Sequence, residues 1–219
     1  QAILDQVKSV TSKPVTTIIN THTHGDHTGS NGFFPATVEI VAHENTKANM
    51  LRMEAFKAPG AKGLPSKTYT DRLTLGAGKD RVELYYFGPG HTSGDTLVVY
   101  PALRVLHAGD MFPWRDAPFL DRSNGGSGVE MPNSLAKAIA SLKDVDTVIP
   151  GHHPVATFAD LQQYQRYTAD LLAEARAAIA AGRSAEQAAA SSTLTSKYPG
   201  FKSDRVKAAM DAIYAELNA

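Results

Sequence analysis

The chain contains no cysteine. Disulfides and thiolate metal ligands are therefore excluded, while the redox state of the compartment is left open. No apolar run approaches the roughly 20 residues needed to span a bilayer as a helix, so no membrane partner is expected. An excess of charge of either sign is also missing, since 22 Lys and Arg balance 22 Asp and Glu. That balance gives no reason to expect nucleic acid as a partner. There is one tryptophan, and aromatic residues make up 8% of the chain. The first residue is Gln1 rather than Met, with no signal-peptide pattern after it. A processed or truncated product is expected, soluble and either cytoplasmic or exported.

What is present is ordinary in bulk: 219 residues, 42% hydrophobic and 20% charged. That suits one globular domain spanning residues 1–219, long enough to bury a core. Residues 2–10 (AILDQVKSV) read as a short amphipathic helix with Ile3, Leu4, Val7 and Val10 on one face. Residues 15–20 (VTTIIN) are β-branched and read as a buried strand. Further strands are expected at 38–42, 73–75, 81–87, 96–100, 104–107 and 147–149, with GAGKD at 76–80 as a hairpin signal. Helices are expected at 44–56 and 134–142. The last third is helical, with apolar stripes over 158–181 and 203–217, and reads as a packed cap. Residues 112–128 form a long loop rich in Pro, Gly, Asp and aromatics, a length usual for functional loops.

The eight histidines carry the chemistry. Three fall within six residues, His22-Thr23-His24-Gly25-Asp26-His27, directly after a strand. In extended backbone residues i and i+2 point to the same side, so His22 and His24 can reach one metal together. A turn at Gly25 would redirect Asp26 and His27 toward a second point nearby. Three more candidates follow strands, each preceded by glycine: His91 in GPGHTSGD, Asp110 in HAGD and His152 in IPGHH. Five histidines and two carboxylates form an N/O ligand set suited to Zn²⁺, and also to Mn²⁺ or Fe²⁺. Seven ligands exceed the needs of one tetrahedral ion and fit two ions sharing a bridge.

HTHGDH resembles the HxHxDH signature of the metallo-β-lactamase superfamily, and GHTSGD, GD and GH resemble its later metal motifs in the same order. The resemblance covers residues 15–155. It implies an α/β fold, the αβ/βα metallo-β-lactamase sandwich, with the site at one edge of the sheets and a helical extension over 158–219. It implies one metal held by His22, His24 and His91, a second held by Asp26, His27 and His152, and Asp110 bridging. Family members usually carry several strands before the first helix. Here only about 20 residues precede the motif, so some N-terminal strands are expected to be missing. A strand edge would then lie exposed, to be covered by a second copy of the chain or another segment. Asp110 resembles the broader hydrolases more than the true metallo-β-lactamases, which place Cys or Ser there.

The expectation is a binuclear zinc hydrolase acting on a small-molecule lactam, lactone, ester or thioester. A metal-bridging hydroxide would attack the carbonyl, and Asp26 would relay a proton. The alternatives are an iron-dependent oxidoreductase on the same ligands and a truncated metal-binding scaffold without activity. Phe112, Trp114, Phe119 and His153 are candidates for the pocket wall. Arg115 and Arg122 could meet a substrate carboxylate or simply lie on the surface. Asp95 reads either as a partner orienting a ligand imidazole or as a turn residue. His43 is expected to start the helix after it, and His107 to be packed.

Overall fold

A computed structural model describes residues 2–219. Two sheets form its centre. The first has three strands in the order β1 (Thr17–Ile19), β2 (Glu39–His43) and β3 (Lys67–Tyr69), all parallel. The second has six in sequence order: β4 (Arg72–Leu75), β5 (Val82–Tyr85), β6 (Leu97–Tyr100), β7 (Val105–Gly109), β8 (Thr147–Pro150) and β9 (Ala156–Thr157). β4 to β7 run as an antiparallel meander, and β8 joins β7 in parallel. The β4–β5 hairpin turns at the GAGKD stretch, with Gly76 at φ 67 and Gly78 at φ 59. Among the described residues eight α-helices accompany the sheets: α1 (Ala2–Val10), α2 (Gly25–Thr28), α3 (Glu44–Met50), α4 (Met131–Ser141), α5 (Phe158–Ala180), α6 (Ala185–Ala190), α7 (Leu194–Lys197) and α8 (Val206–Leu217).

Alternation along the strands divides the interior in two. In β6, Leu97 and Val99 join the large cluster under the helices, while Val98 faces the other way. Val98 meets Val41, Tyr69 and Leu84 in a smaller cluster to which both sheets contribute. The large cluster runs without a break from Leu106 and Ala108 of β7 through Leu135 of α4 and Tyr164 of α5 to Met210 and Ile213 of α8. The helical tail thus shares its apolar interior with the second sheet. No helix among the described residues is long and apolar enough to cross a membrane.

Several boundaries differ from the sequence reading, each for a physical reason. β1 is an edge strand, not a buried one: Thr17 is exposed, Ile18 and Ile19 are half-buried, and its only neighbour among the described residues is β2. α1 forms over the expected residues, but none of them is buried, and Ile3 and Val10 are exposed. The helix expected over 44–56 stops at Met50 and resumes as a single 3-10 turn at Glu54–Phe56. β3, β9, α6 and α7 were not foreseen. α6 had a readable signal, because Ser184 and Gln187 form a capping box of the S-x-x-Q type. α5 opens with a similar box between Thr157 and Asp160, and Gly182 at φ 67 follows its end.

His43 starts α3 as expected. Its Nδ1 accepts from the Asn45 backbone (3.2 Å), and its Nε2 donates to the Thr70 carbonyl (2.6 Å). The first bond requires the neutral ring, since a protonated Nδ1 cannot accept. Burial lowers its pKa below the ordinary 6.5, against opposing effects of the Thr70 carbonyl, Glu44 and Asp71. The unfolded chain therefore binds the proton more readily, and stability rises with pH in this window. We expect the unfolding midpoint in denaturant to fall as pH drops below 6.5. His43→Asn should be less stable near neutrality but lose less on acidification, and equal pH slopes for the two proteins would contradict this.

Candidate metal centre

The centre forms where loops leave the ends of four strands. The first loop leaves β1 at Asn20 and carries His22 and His24 before α2 begins at Gly25. Its shape is held from both sides. Asn31 Nδ2 donates to Asn20 Oδ1 (2.8 Å), Thr28 Oγ1 donates to the His24 carbonyl (3.0 Å), and the Thr96 amide donates to the Thr21 carbonyl (2.7 Å). His91 lies between β5 and β6, Asp110 directly after β7 and His152 two residues after β8. β7 and β8 are parallel neighbours, so the last two ligands leave the sheet side by side. Two glycines make room. Gly109 sits at φ 50 with the Thr21 side chain 2.8 Å from where a Cβ would stand. At Gly151 a Cβ would lie 1.9 Å from Asp110 Oδ1, so no other residue fits without displacing the carboxylate.

The hydrogen bonds around the imidazoles fix which nitrogens carry protons. His91 Nδ1 donates to the Phe119 carbonyl (2.7 Å), leaving a lone pair on Nε2. His24 Nε2 donates to Asp121 Oδ2 (2.8 Å), leaving a lone pair on Nδ1 in the neutral ring. These two lone pairs face each other at 2.9 Å. His22, with its Nδ1 3.1 Å from Thr21 Oγ1, brings Nε2 to 3.2 Å from the same His24 atom. A proton could bridge one pair of these three nitrogens, whereas a divalent cation accepts all three. Burial, then the neighbouring imidazoles, hold His22 well below its ordinary pKa, and burial pushes His91 down to about 4. Both rings are therefore neutral at ordinary pH, the form that binds a metal.

A second set lies beside the first. Asp26 Oδ2 is 3.3 Å from His27 Nε2 and 3.4 Å from His152 Nε2, and those two nitrogens are 3.3 Å apart. Asp110 stands between the sets: its Oδ2 is 3.5 Å from His91 Nε2 and 3.3 Å from His152 Nε2, and its Oδ1 is 3.5 Å from His27 Nε2. Asp110 Oδ1 is buried with no hydrogen-bond partner, a costly state unless a cation satisfies it. Three groups, His22 with His24 and His91, His22 with His27 and Asp110, and Asp26 with His27 and His152, each bring their ligand atoms within 4.8 Å of one another and could each hold a metal ion.

The sequence profile of the metallo-beta-lactamase superfamily matches residues 2–152. The chain belongs to the metallo-β-lactamase superfamily. It is 28% identical over 138 residues to the metallo-beta-lactamase type 2 of Bacteroides fragilis, covering 63% of this chain and 53% of that one. It is 37% identical over 100 residues to the 2,4-dinitroanisole O-demethylase subunit alpha of Nocardioides sp. (strain JS1661), covering 45% and 29%. The chain spans about half the length of these relatives, or less. The fold matches that of the metallo-beta-lactamase from Pontibacter korlensis, with a TM-score of 0.63 at 21% identity over 76% of this chain and 75% of that one. TMB-1 gives 0.64 at 21% identity over 77% and 74%.

The four expected wall residues of this superfamily member fall in three different places. Phe112 is no wall: it is fully buried, its ring 4.8 Å from Tyr164, because the chain turns into the helical core directly after Met111. Trp114 stands beside His152, ring to ring at 5.6 Å, and shares a cavity of about 600 Å³ with His152 and His153. Phe119 flanks the other side, half exposed, 5.8 Å from the His24 ring and 5.7 Å from His91. Arg115 and Arg122 are tied to Asp160 and Glu216. Asp95 braces the turn after His91, accepting from the Thr92 amide (2.8 Å) and hydroxyl (2.7 Å). His107 Nδ1 accepts from the Gly109 amide (3.0 Å).

The residue that sequence reading missed is Asp121. Burial would raise its carboxyl, but hydrogen bonds from His24, Ser123 and Asn124 override that and hold it well below the usual carboxylate range. Its local signal was readable, since Asp followed by Ser and Asn marks a side-chain-capped turn, and it caps the 3-10 turn Arg122–Asn124. Its partner His24 lies 97 residues earlier, which no local pattern reveals. Asp121→Asn should weaken metal affinity by about 10–100-fold, read by competition with a chromophoric chelator, and an unchanged affinity would remove Asp121 from the site. Phe112→Ala should lower stability by about 3–5 kcal/mol in denaturant unfolding of metal-loaded protein.

Proposed function

We propose that the chain, acting as one domain over residues 1–219, is a binuclear zinc-dependent hydrolase of a carbonyl-type bond in a small molecule: a lactam, lactone, ester or thioester. The observation that carries this reading is the position of Asp110, buried between two sets of ligand atoms, with Oδ2 3.5 Å from His91 Nε2 and 3.3 Å from His152 Nε2, and Oδ1 3.5 Å from His27 Nε2 without a hydrogen-bond partner. We assign His22, His24 and His91 to one ion, Asp26, His27 and His152 to the other, and Asp110 to both. Zinc held there would supply Lewis acidity and lower the pKa of water toward about 7.

The protein's own groups supply the remainder. His91 and His24 are held in their lone-pair orientations by the Phe119 carbonyl and Asp121, so the centre needs little rearrangement when substrate arrives. Asp26 is the most exposed member of the ligand set, with 59% of its side chain open to solvent against 37% for His152. It is positioned to pass a proton between substrate and bulk water, the role we give it. Phe119 on one side and Trp114 on the other offer apolar faces against which a substrate can lie. The curated relatives that carry the name metallo-beta-lactamase support hydrolysis, and the lactam is the first substrate class to test.

The test combines metal content by mass spectrometry, on protein purified without added metal, with assays on β-lactam, lactone, thioester and phosphodiester substrates. We expect about two zinc ions per chain and cleavage of one carbonyl class. Activity should disappear with chelation and return with zinc. His22→Ala and Asp110→Asn should each cost more than the about 100-fold typical of a residue outside the ligand shell. A single iron with oxygen consumption would replace this reading by the oxidoreductase. An untouched panel in zinc-loaded protein would leave a metal-binding scaffold.

A further inference from the structure

The cavity beside His152 has a wall that the ligand set does not use. The segment between α7 and α8 closes it, and this segment lies beyond residues 2–152, the part shared with the superfamily profile. Three hydrogen bonds donated by backbone amides fasten that segment and the His152 loop to the same stretch. The Lys202 amide donates to the Arg115 carbonyl (2.9 Å), the Arg205 amide to Asp116 Oδ1 (3.4 Å), and the His152 amide to the Pro113 carbonyl (2.9 Å). The tail and the metal ligand are thus positioned by one support. The Arg205 guanidinium lies over the Trp114 ring at 4.0 Å, and Trp114 is fixed by donating from Nε1 to the Ala117 carbonyl (3.0 Å).

The charges lining this cavity are not equivalent. Arg115 is paired with Asp160. Asp116 is buried, accepts from two backbone amides, and is pushed toward its neutral form by burial. Asp204, Lys202 and Arg205 are exposed at the rim. Among the described residues no carboxylate lies within ion-pair distance of Lys202 or Arg205. A guanidinium stacked on an indole keeps its planar edge of N–H donors free, and that edge matches a carboxylate with two parallel hydrogen bonds. Stacking also reduces the entropy lost when the side chain is ordered on binding.

We propose that Arg205, supported by Trp114 and Lys202, anchors a carboxylate of the substrate while the bond to be cleaved lies at the metal centre. This assignment of substrate class rests on the hydrolase reading above. The Arg205 guanidinium and the His152 ring flank the same indole, so one small molecule can meet both. The bound molecule is then a carbonyl compound carrying a free carboxylate, and the tail segment beyond residues 2–152 sets that preference.

The test uses Trp114 as its own reporter, since it is the only tryptophan. Zinc-loaded protein is titrated with hexanoate, hexanamide and hexyl phosphate while Trp114 emission is followed. We expect a saturable response to hexanoate and none to hexanamide. Arg205→Ala should weaken the response about tenfold, as for a lost charge-assisted hydrogen bond, and Arg205→Lys, which keeps charge but loses the fork, should fall between. Metal content of each variant verifies that the centre is intact. For any substrate that is turned over, the kcat/KM preference for the free acid over its amide should shrink by the same factor in Arg205→Ala, through KM. Equal response to hexanoate and hexanamide, or tighter binding of hexyl phosphate, would overturn the proposal. So would a hexanoate response that survives Arg205→Ala, since it would belong to the metal ions. An Arg205-dependent hexanoate response in protein that cleaves no carbonyl substrate would leave the anchor standing and remove the hydrolase reading.

Discussion

His24 Nδ1 and His91 Nε2 turn lone pairs toward each other at 2.9 Å, with His22 Nε2 3.2 Å from the first and Asp110 Oδ2 3.5 Å from the second. Buried acceptors packed in this way repel one another, and the folded chain tolerates them only where a cation is expected. The protons are parked on the outer sides of the rings, His91 against a carbonyl and His24 against a carboxylate. The inner nitrogens are thereby fixed as acceptors, and burial keeps His22 and His91 neutral. Metal affinity at such a centre would depend on the outer hydrogen bonds as much as on the ligand atoms.

The two sheets convert this local constraint into a global one. Each segment that carries the candidate ligands leaves a strand end, with Asp26 and His27 on the short α2 that follows β1, so their positions are set by sheet geometry. β7 and β8 lie parallel, so Asp110 and His152 emerge as neighbours, and Gly109 and Gly151 allow backbone and carboxylate to approach without a Cβ between them. The small cluster of Val41, Tyr69, Leu84 and Val98, drawn from both sheets, ties the first loop to the later ones. A large-to-small change in that cluster would move ligands relative to each other even though it touches none of them.

The long loop over 112–128 joins the centre to the helical tail. Its first residue is sunk in the core, Trp114 and Phe119 flank the metal ligands, and Asp121 reaches back to His24. Its end is held by Glu216 of α8, which accepts from the Gly128 amide. The tail is thus built into the rim of the site as well as into the core, and this gives Arg205 its place beside Trp114.

The candidate ligands were legible in the sequence. HTHGDH, with one His after each of two later strands and Asp110 between them, was readable because ligand types recur at strand ends with glycine beside them. Most strands and the two long tail helices were equally legible, since their apolar periodicities are local. Tertiary structure alone decided how the ligands divide in space, that β1 is an edge, that Phe112 is core rather than wall, and that Asp121 serves His24. It also decided that Arg205 meets Trp114 from 91 positions away in the chain. The physical reason is the same in each case: periodicity and turn chemistry act over a few residues, whereas hydrogen bonds and packing between distant segments depend on where the sheets bring them.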